Sequence, residues 1–275
     1  MPLYCDCPLT KVWGIPERSE ELPDGCVRIF PGGCALGTVQ IPEEMIGQNL
    51  DSLTRSRWAR IGKNVKLCSN LSEKGFLGVT IENCAQTHSL IVRPGNTVVV
   101  ALMEEIKSSP LVERVPLTAA PTLLKMNTHG LPKSIVWKES ARLGCIVSPS
   151  PTAIPYIDPH NTDFTRHLIE SPYTTVDLRR DEYLVVWTRE EPTTPEGHIG
   201  IIEPAVDGLA YNTAKLDNPG SRGRRLIEVR ATQRTRIAEG MLLAYLDIYA
   251  VPDAPAYNGP LGTDGSFAAF SRGTW

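Results

Sequence analysis

A mainly β fold, built as a tandem duplication with few short helices, is what this 275-residue sequence predicts. Three observations carry that expectation. The chain holds 22 Gly and 23 Pro, more turn formers than a helical bundle tolerates. Its apolar residues come in short alternating runs rather than at helical spacing. Three short motifs also recur in the same order in the two halves of the chain.

Composition narrows the possibilities further. Hydrophobic residues make up 41% and charged residues 21%, values typical of a globular chain and too apolar for wholesale disorder. With 28 Lys+Arg against 31 Asp+Glu, the formal charge of −3 offers no basis for binding nucleic acid in bulk. No apolar run approaches the ~18 residues that a membrane span needs, so no membrane association is expected. The opening MPLYCDCPLTKVWG lacks the layout of a signal peptide, which points to a cytoplasmic protein.

Along the chain, helical periodicity is scarce. Asp51 to Ile61 (DSLTRSRWARI) reads as a short helix with Asp51 as its N-cap. Strands are expected at Leu90–Arg93, Thr97–Met103, Tyr183–Thr188, His198–Ile202, Leu226–Arg230 and Met241–Ala250. The Pro-, Thr- and Ser-rich stretch from Ser108 to Pro132 reads as a linker or crossover. The expected division is a first domain over 1–115, a linker over 116–132, and a second domain with a C-terminal arm over 133–275.

The repeat rests on three pairs. PEEMIG (Pro42–Gly47) matches PEGHIG (Pro195–Gly200), and TIENCA (Thr80–Ala85) matches LIEVRA (Leu226–Ala231). VRPGNTVVVAL, around Gly95, matches IAEGMLLAYL, around Gly240. Members of each pair lie roughly 150 residues apart, the signature of one unit present twice.

The seven cysteines are Cys5, Cys7, Cys26, Cys34, Cys68, Cys84 and Cys145. An odd number without an export signal argues against a disulfide framework. Cys5 and Cys7 could join Cys26 and Cys34 around zinc, but no C-x-x-C pair exists, and idle or buried thiols are the simpler reading. Zinc-dependent nucleobase deamination needs H-x-E before P-C-x-x-C. None of the five histidines is followed two residues later by Glu, so that chemistry is excluded. The sequence also lacks a G-x-S-x-G elbow, a Walker loop and a dinucleotide-binding glycine fingerprint.

Each half runs strand, proline-led turn, variable stretch, glutamate-bearing strand, turn, and Gly-led apolar strand. This order resembles the superfamily of deoxyuridine triphosphatases and dCTP deaminases, and most of all the two-domain form of dCTP deaminase. The resemblance covers roughly Leu22–Glu105 and Tyr156–Tyr249. It implies two dUTPase-like β-barrel (β-clip) domains.

TRSRWARIG (Thr54–Gly62) is similar to the family's G-R-S-S-x-x-R-x-G segment. Ser56 and Arg60 match its serine and second arginine, while Thr54 and Arg57 depart from it. NTAKLDNPGSRG (Asn212–Gly223) is similar to T-A-x-x-I-D-P-G-x-x-G, with Thr213, Ala214, Asp217 and Gly220 carrying the match. The signature is thus divided between the halves, and the resemblance implies a composite site.

That site implies hydrolysis of dCTP to dUTP and ammonia without a catalytic metal. Glu228 would be the general base, with Glu82 as its repeat-equivalent second choice. Ser56 would hold the water or exocyclic amine, Arg60 would offset developing charge, and the Ala214 carbonyl would fix the water. Arg55, Thr213, Asp217 and Gly220 would contact the nucleotide. The triphosphate would bring Mg²⁺, with Arg57, Arg222, Arg224 and Arg225 as further cations nearby. The resemblance implies a homo-oligomer, a trimer or dimer: trimers are usual for the superfamily, and fused copies would allow a dimer or a monomer. A C-terminal arm, here Gly262–Trp275, often closes over the nucleotide.

Plainer readings stand beside these. The alternation in LIEVR also fits a strand with one wet face, and Asp217 before Asn-Pro-Gly is a turn former in its own right. Two alternatives to the deaminase also remain: a dUTP pyrophosphatase, and an inactive dUTPase fold that senses nucleotides or binds proteins.

Overall fold

The computed structural model describes residues 3–53, 62–69, 75–131, 133, 154–158, 167–172, 174–211, 216–252 and 254. The expected helix beyond Leu53, Thr213, Ala214 and the C-terminal arm lie outside the described residues.

The first lobe contains β1 (Tyr4–Gly14), β2 (Ser19–Glu21), β3 (Val27–Ile29), β4 (Cys34–Gln40), β5 (Asp51–Leu53), β6 (Lys63–Ser69), β7 (Phe76–Asn83), β8 (Ser89–Val92) and β9 (Thr97–Ala101). A short helix, α1 (Met103–Ser108), follows. The rest of the chain contains β10 (Leu111–Met126), β11 (Tyr156–Ile157), β12 (Leu168–Pro172), β13 (Thr175–Leu178), β14 (Tyr183–Thr188), β15 (His198–Pro204), β16 (Leu209–Tyr211), β17 (Leu216–Asp217), β18 (Leu226–Ala231), β19 (Thr235–Ala238) and β20 (Leu242–Ala250), all but β11 forming the second lobe.

The duplication is visible in the strand order. The main sheet of the first lobe runs β5-β9-β1-β4-β7-β6. That of the second runs β15-β20-β10-β14-β18-β16, extended by β17 beyond β15 and by β12 against β10. Strand for strand the two orders correspond, with β7 matching β18. The smaller sheets correspond as well, β3 pairing with β8 and β13 with β19. Gly95 and Gly240 occupy equivalent turns at φ of +85° and +77°, where a side chain would be strained. PEEMIG lies between β4 and β5, and PEGHIG runs from the equivalent connection into β15, the equivalent of β5. This is a mainly β, curled-sheet, dUTPase-like fold.

Alternation builds each core. In β7, Leu77, Val79 and Ile81 point inward and join Val39, Val65 and Val100 in one apolar cluster. In β18, Ile227, Val229 and Ala231 do the same with Leu184, Val186 and Leu246. Glu82 and Glu228 fall on the opposite faces of their strands.

Four expectations are corrected. Asp51 is not a helix cap: Asp51–Leu53 pairs with β9, Asp51 opposite Ala101, and an edge-strand ladder overrides the local capping signal. The expected linker is not a linker over most of its length. From Leu111 to Met126 it is one 16-residue strand, because its backbone finds partners in β20, β14 and β12. The expected boundary at 133 also fails to divide the lobes. Tyr156 and Ile157 lie parallel to Ser89 and Leu90 in the first lobe's small sheet, so the later half of the chain contributes a strand to the earlier one. The expected strand over Thr97–Met103 ends at Ala101. MEEIKS then turns helical, with Glu104 and Glu105 in its first turn, Lys107 in its last, and Met103 and Ile106 buried on one side.

The lobes meet along an apolar seam. Ala101, Met103 and Ile106 from one side pack with Ile199, Ile201, Tyr249 and Val251 from the other. Lys107 and Glu203 form an ion pair across it at 2.6 Å. Arg93 donates to Asp158, fastening the segment that carries β11.

Ile106→Ala should lower the unfolding free energy by about 2–5 kcal/mol, the usual cost of emptying a fully buried aliphatic site. Ile106 is 0% exposed. Urea unfolding of the two proteins measures the difference.

Candidate functional site

The glutamate of β7 lies close enough to the second lobe to feel the charge of Arg230 on β18. On β7, the Glu82 carboxylate accepts hydrogen bonds from Lys66 Nζ at 2.9 Å and Asn64 Nδ2 at 3.0 Å. Both donors come from β6, on which Asn64 lies opposite Glu82. Burial alone would push the Glu82 carboxyl up. The hydrogen bonds from Lys66 and Asn64, together with the charges of Lys66 and Arg230, hold it below the usual carboxylate range.

Arg230 belongs to the second lobe. It sits two residues from Glu228 on the same face of β18 and pairs with Asp181 at 3.8 Å. Gln86, in the turn after β7, donates through Nε2 to the Asp181 carbonyl at 3.4 Å. One patch thus combines Glu82, Lys66, Asn64 and Gln86 of the first lobe with Asp181 and Arg230 of the second.

Glu228 is opposite Val185 and is 0% exposed. The same face holds Leu226 and Trp187, also buried. A strand with one wet face therefore does not describe β18; it does describe β7, where the Glu82 side chain stays 25% exposed and Lys66 55%. The two repeat-equivalent carboxylates have distinct environments, one open and neutralised by a lysine, the other enclosed.

Lys63 opens β6 on its inward face, in line with Val65 and Leu67 and opposite Asn83. It is 1% exposed, and burial pushes its ammonium down to about 7. Asn83 organises the neighbouring turn. Its Nδ2 donates to the carbonyls of Phe30 at 3.1 Å and His88 at 2.9 Å, and its Oδ1 accepts from Ala85 N at 3.1 Å.

Asp217 and Gly220 lie in a second cluster. Arg225 Nη2 donates to the buried Asp217 carboxylate at 2.8 Å, and Thr194 Oγ1 donates to the same oxygen. Gly220 has φ of +82° and donates its N–H to the Thr194 carbonyl at 2.7 Å. This turn is closed by the protein's own groups, and Arg225 is engaged here. Arg55, Ser56, Arg60, Thr213 and Ala214 lie outside the described residues.

Sequence reasoning missed Arg230, Asp181, Gln86 and Lys63. Arg230 was readable, since alternation puts it on the face of Glu228. Lys63 also carried a signal, as it shares the register of Val65 and Leu67. Asp181 and Gln86 carried none, because their contact joins distant turns.

The cysteines do not converge on zinc: among the described residues no group of three or more His, Cys, Asp or Glu side chains is placed to hold a metal ion. Among the described residues no helix is long and apolar enough to cross a membrane.

The buried lysine generates a pH prediction. Between pH ~7 and ~10.4 the unfolded chain holds a proton on Lys63 that the folded chain lacks, so this group makes stability rise with pH across that window. The stability of Lys63→Met relative to the unsubstituted chain should therefore be highest near pH 7 and fall toward pH 10. Paired urea titrations across that range measure it, and a difference independent of pH contradicts it.

No protein-family model matches the sequence, and no curated protein matches it. Among solved structures, the fold is similar to the crystal structure of 2'-deoxycytidine 5'-triphosphate deaminase from Agrobacterium tumefaciens. The TM-score is 0.57 at 13% sequence identity, over 91% of this chain and 90% of that one. At that identity the likeness is one of fold.

Proposed function

We propose that this protein is a dCTP deaminase-like hydrolase acting on a pyrimidine deoxynucleoside triphosphate. The supporting observation is the enclosed Glu228 carboxylate, two residues from Arg230 on β18, while Glu82 is committed to Lys66 and Asn64. Enclosing a carboxylate costs several kcal/mol unless its surroundings compensate. The fold's similarity to a dCTP deaminase agrees with this reading.

In this reading water adds to C4 of cytosine and the exocyclic amine leaves as ammonia. Glu228 takes the water's proton and returns one toward the ring or the leaving group. Glu82 is the weaker candidate, since a carboxylate held low by a lysine is a poorer base. The family resemblance assigns Ser56 to the water or amine, Arg60 to the developing charge, Ala214 to the water, and Arg55 and Thr213 to the nucleotide. Asp217 and Gly220 support a loop there; the Asp217 carboxylate already serves Arg225 and Thr194.

Mg²⁺ enters this reading with the triphosphate. The donors at the described lobe junction are mostly cationic or amide groups, suited to phosphate oxygens rather than to a resident cation. When bound, the ion neutralises phosphate charge. Assembly into trimers or dimers belongs to the same reading.

Purified protein with Mg²⁺ and either dCTP or dUTP tests it. Ammonia from dCTP supports the proposal; pyrophosphate from dUTP replaces it with a pyrophosphatase. Neither product, with dCTP still raising the melting temperature, makes the fold a nucleotide sensor. Glu228→Gln should lower kcat by about 10²–10⁴ with the circular dichroism spectrum intact, and full activity would remove Glu228 as the base. Ser56→Ala should lower turnover with the fold unchanged, and unchanged turnover would detach the first half from the site.

A further inference from the structure

Away from the lobe junction, three sulfur atoms meet at the edge of the first core. Cys5 Sγ lies 3.2 Å from Cys7 Sγ and 3.3 Å from Met45 Sδ. The grouping follows from local structure. Cys5 and Cys7 are two residues apart on β1, so their side chains share one face. Pairing with Val100 and Val98 of β9 holds that register. Met45 comes from far along the chain, at the end of a 3-10 turn (Glu43–Met45) whose backbone closes by Met45 N–H to the Pro42 carbonyl at 3.0 Å.

The surroundings suit a cation. Met45 is 0% exposed and Cys7 1%, whereas Cys5 is half-buried and forms the opening to solvent. Asp6 and Glu44 place negative charge close enough to act on the Cys5 thiol.

We propose that Cys5, Cys7 and Met45 form a binding site for a soft monovalent metal ion, copper(I). Two thiolates and a thioether are the ligand chemistry that selects Cu(I) over harder cations. Zinc would want a fourth donor, and neither Cys26 nor Cys34 joins the cluster. With metal–sulfur bonds of roughly 2.3 Å, a trigonal three-coordinate ion fits after Cys5 parts from Cys7 and from Met45 by less than about 1 Å each. Binding exchanges two S–H bonds for two S–Cu bonds and releases two protons. The thioether adds as a neutral donor, and no oxidation state changes.

The test uses the full, reduced chain under anaerobic conditions, with Cu(I) supplied as its bicinchoninate complex. The protein should withdraw one equivalent of Cu(I) from the chelator. Cys5→Ser and Cys7→Ser should each weaken that binding by about 100-fold, and Met45→Leu, which keeps the core filled, by about tenfold. X-ray absorption of the copper-loaded chain should show a shell of two or three sulfur atoms and no light-atom ligand. Cu(I) should also raise the melting temperature of the unsubstituted chain and not of Cys5→Ser. Because Cys5 is half-exposed, its serine variant stays informative even where Cys7→Ser fails to fold. The proposal is overturned if the chain withdraws no Cu(I), or if the Cys5→Ser variant binds it as tightly as the unsubstituted chain.

Discussion

The apolar seam between the lobes is the constraint on which the rest of the molecule depends. Ile106 and Ile201 are completely buried there, with Ile199, Met103 and Tyr249 nearly so. Each such side chain contributes roughly 1.5–3 kcal/mol on burial. The Lys107–Glu203 pair crossing the same seam is partly exposed and adds at most about 1 kcal/mol. Apolar burial therefore sets how the lobes face one another, and the ion pair adjusts it. Once they are set, the turn after β7 reaches Asp181, and the charge of Arg230 reaches Glu82.

Duplication followed by divergence explains the asymmetry of the two glutamates. Both stand on the core-averted face of equivalent strands, so both copies faced the same problem of placing a carboxylate. The first copy meets it with Lys66 and Asn64 from the adjacent strand, in partial contact with water. The second copy closes its face over the carboxylate instead. The neighbouring inward position diverged as well: Asn83 fastens a turn through its buried amide, where Val229 fills a core. Equivalent backbones thus support a polar hub in one lobe and plain packing in the other.

The Thr194–Asp217–Arg225 cluster bears on how a family motif is read. Its aspartate and glycine occupy a real turn, and the structure gives that turn a structural cause: a buried ion pair, a hydroxyl donor and a backbone closure at Gly220. A buried pair of this kind rewards keeping both members, since removing either one leaves the other uncompensated. The motif can therefore persist for the loop's shape alone.

The sequence by itself determined the local facts. A short apolar run identified Tyr183–Thr188 as a strand and alternation identified Leu226–Arg230, and the glycine-led turns marked equivalent points in two copies. It also put Glu82 and Glu228 on matching strands, because which face a side chain takes depends only on its neighbours in the chain. Tertiary structure alone decided what covers each face. Nothing local distinguishes an open Glu82 from an enclosed Glu228, since burial is set by elements distant in sequence. The same holds for Pro- and Thr-rich residues after Leu111, which became a long strand only because β14 and β20 were there to pair with them. It holds too for Met45, carried to Cys5 across 40 positions of chain. Backbone hydrogen bonding and packing are non-local, and for these residues they outweighed local propensity.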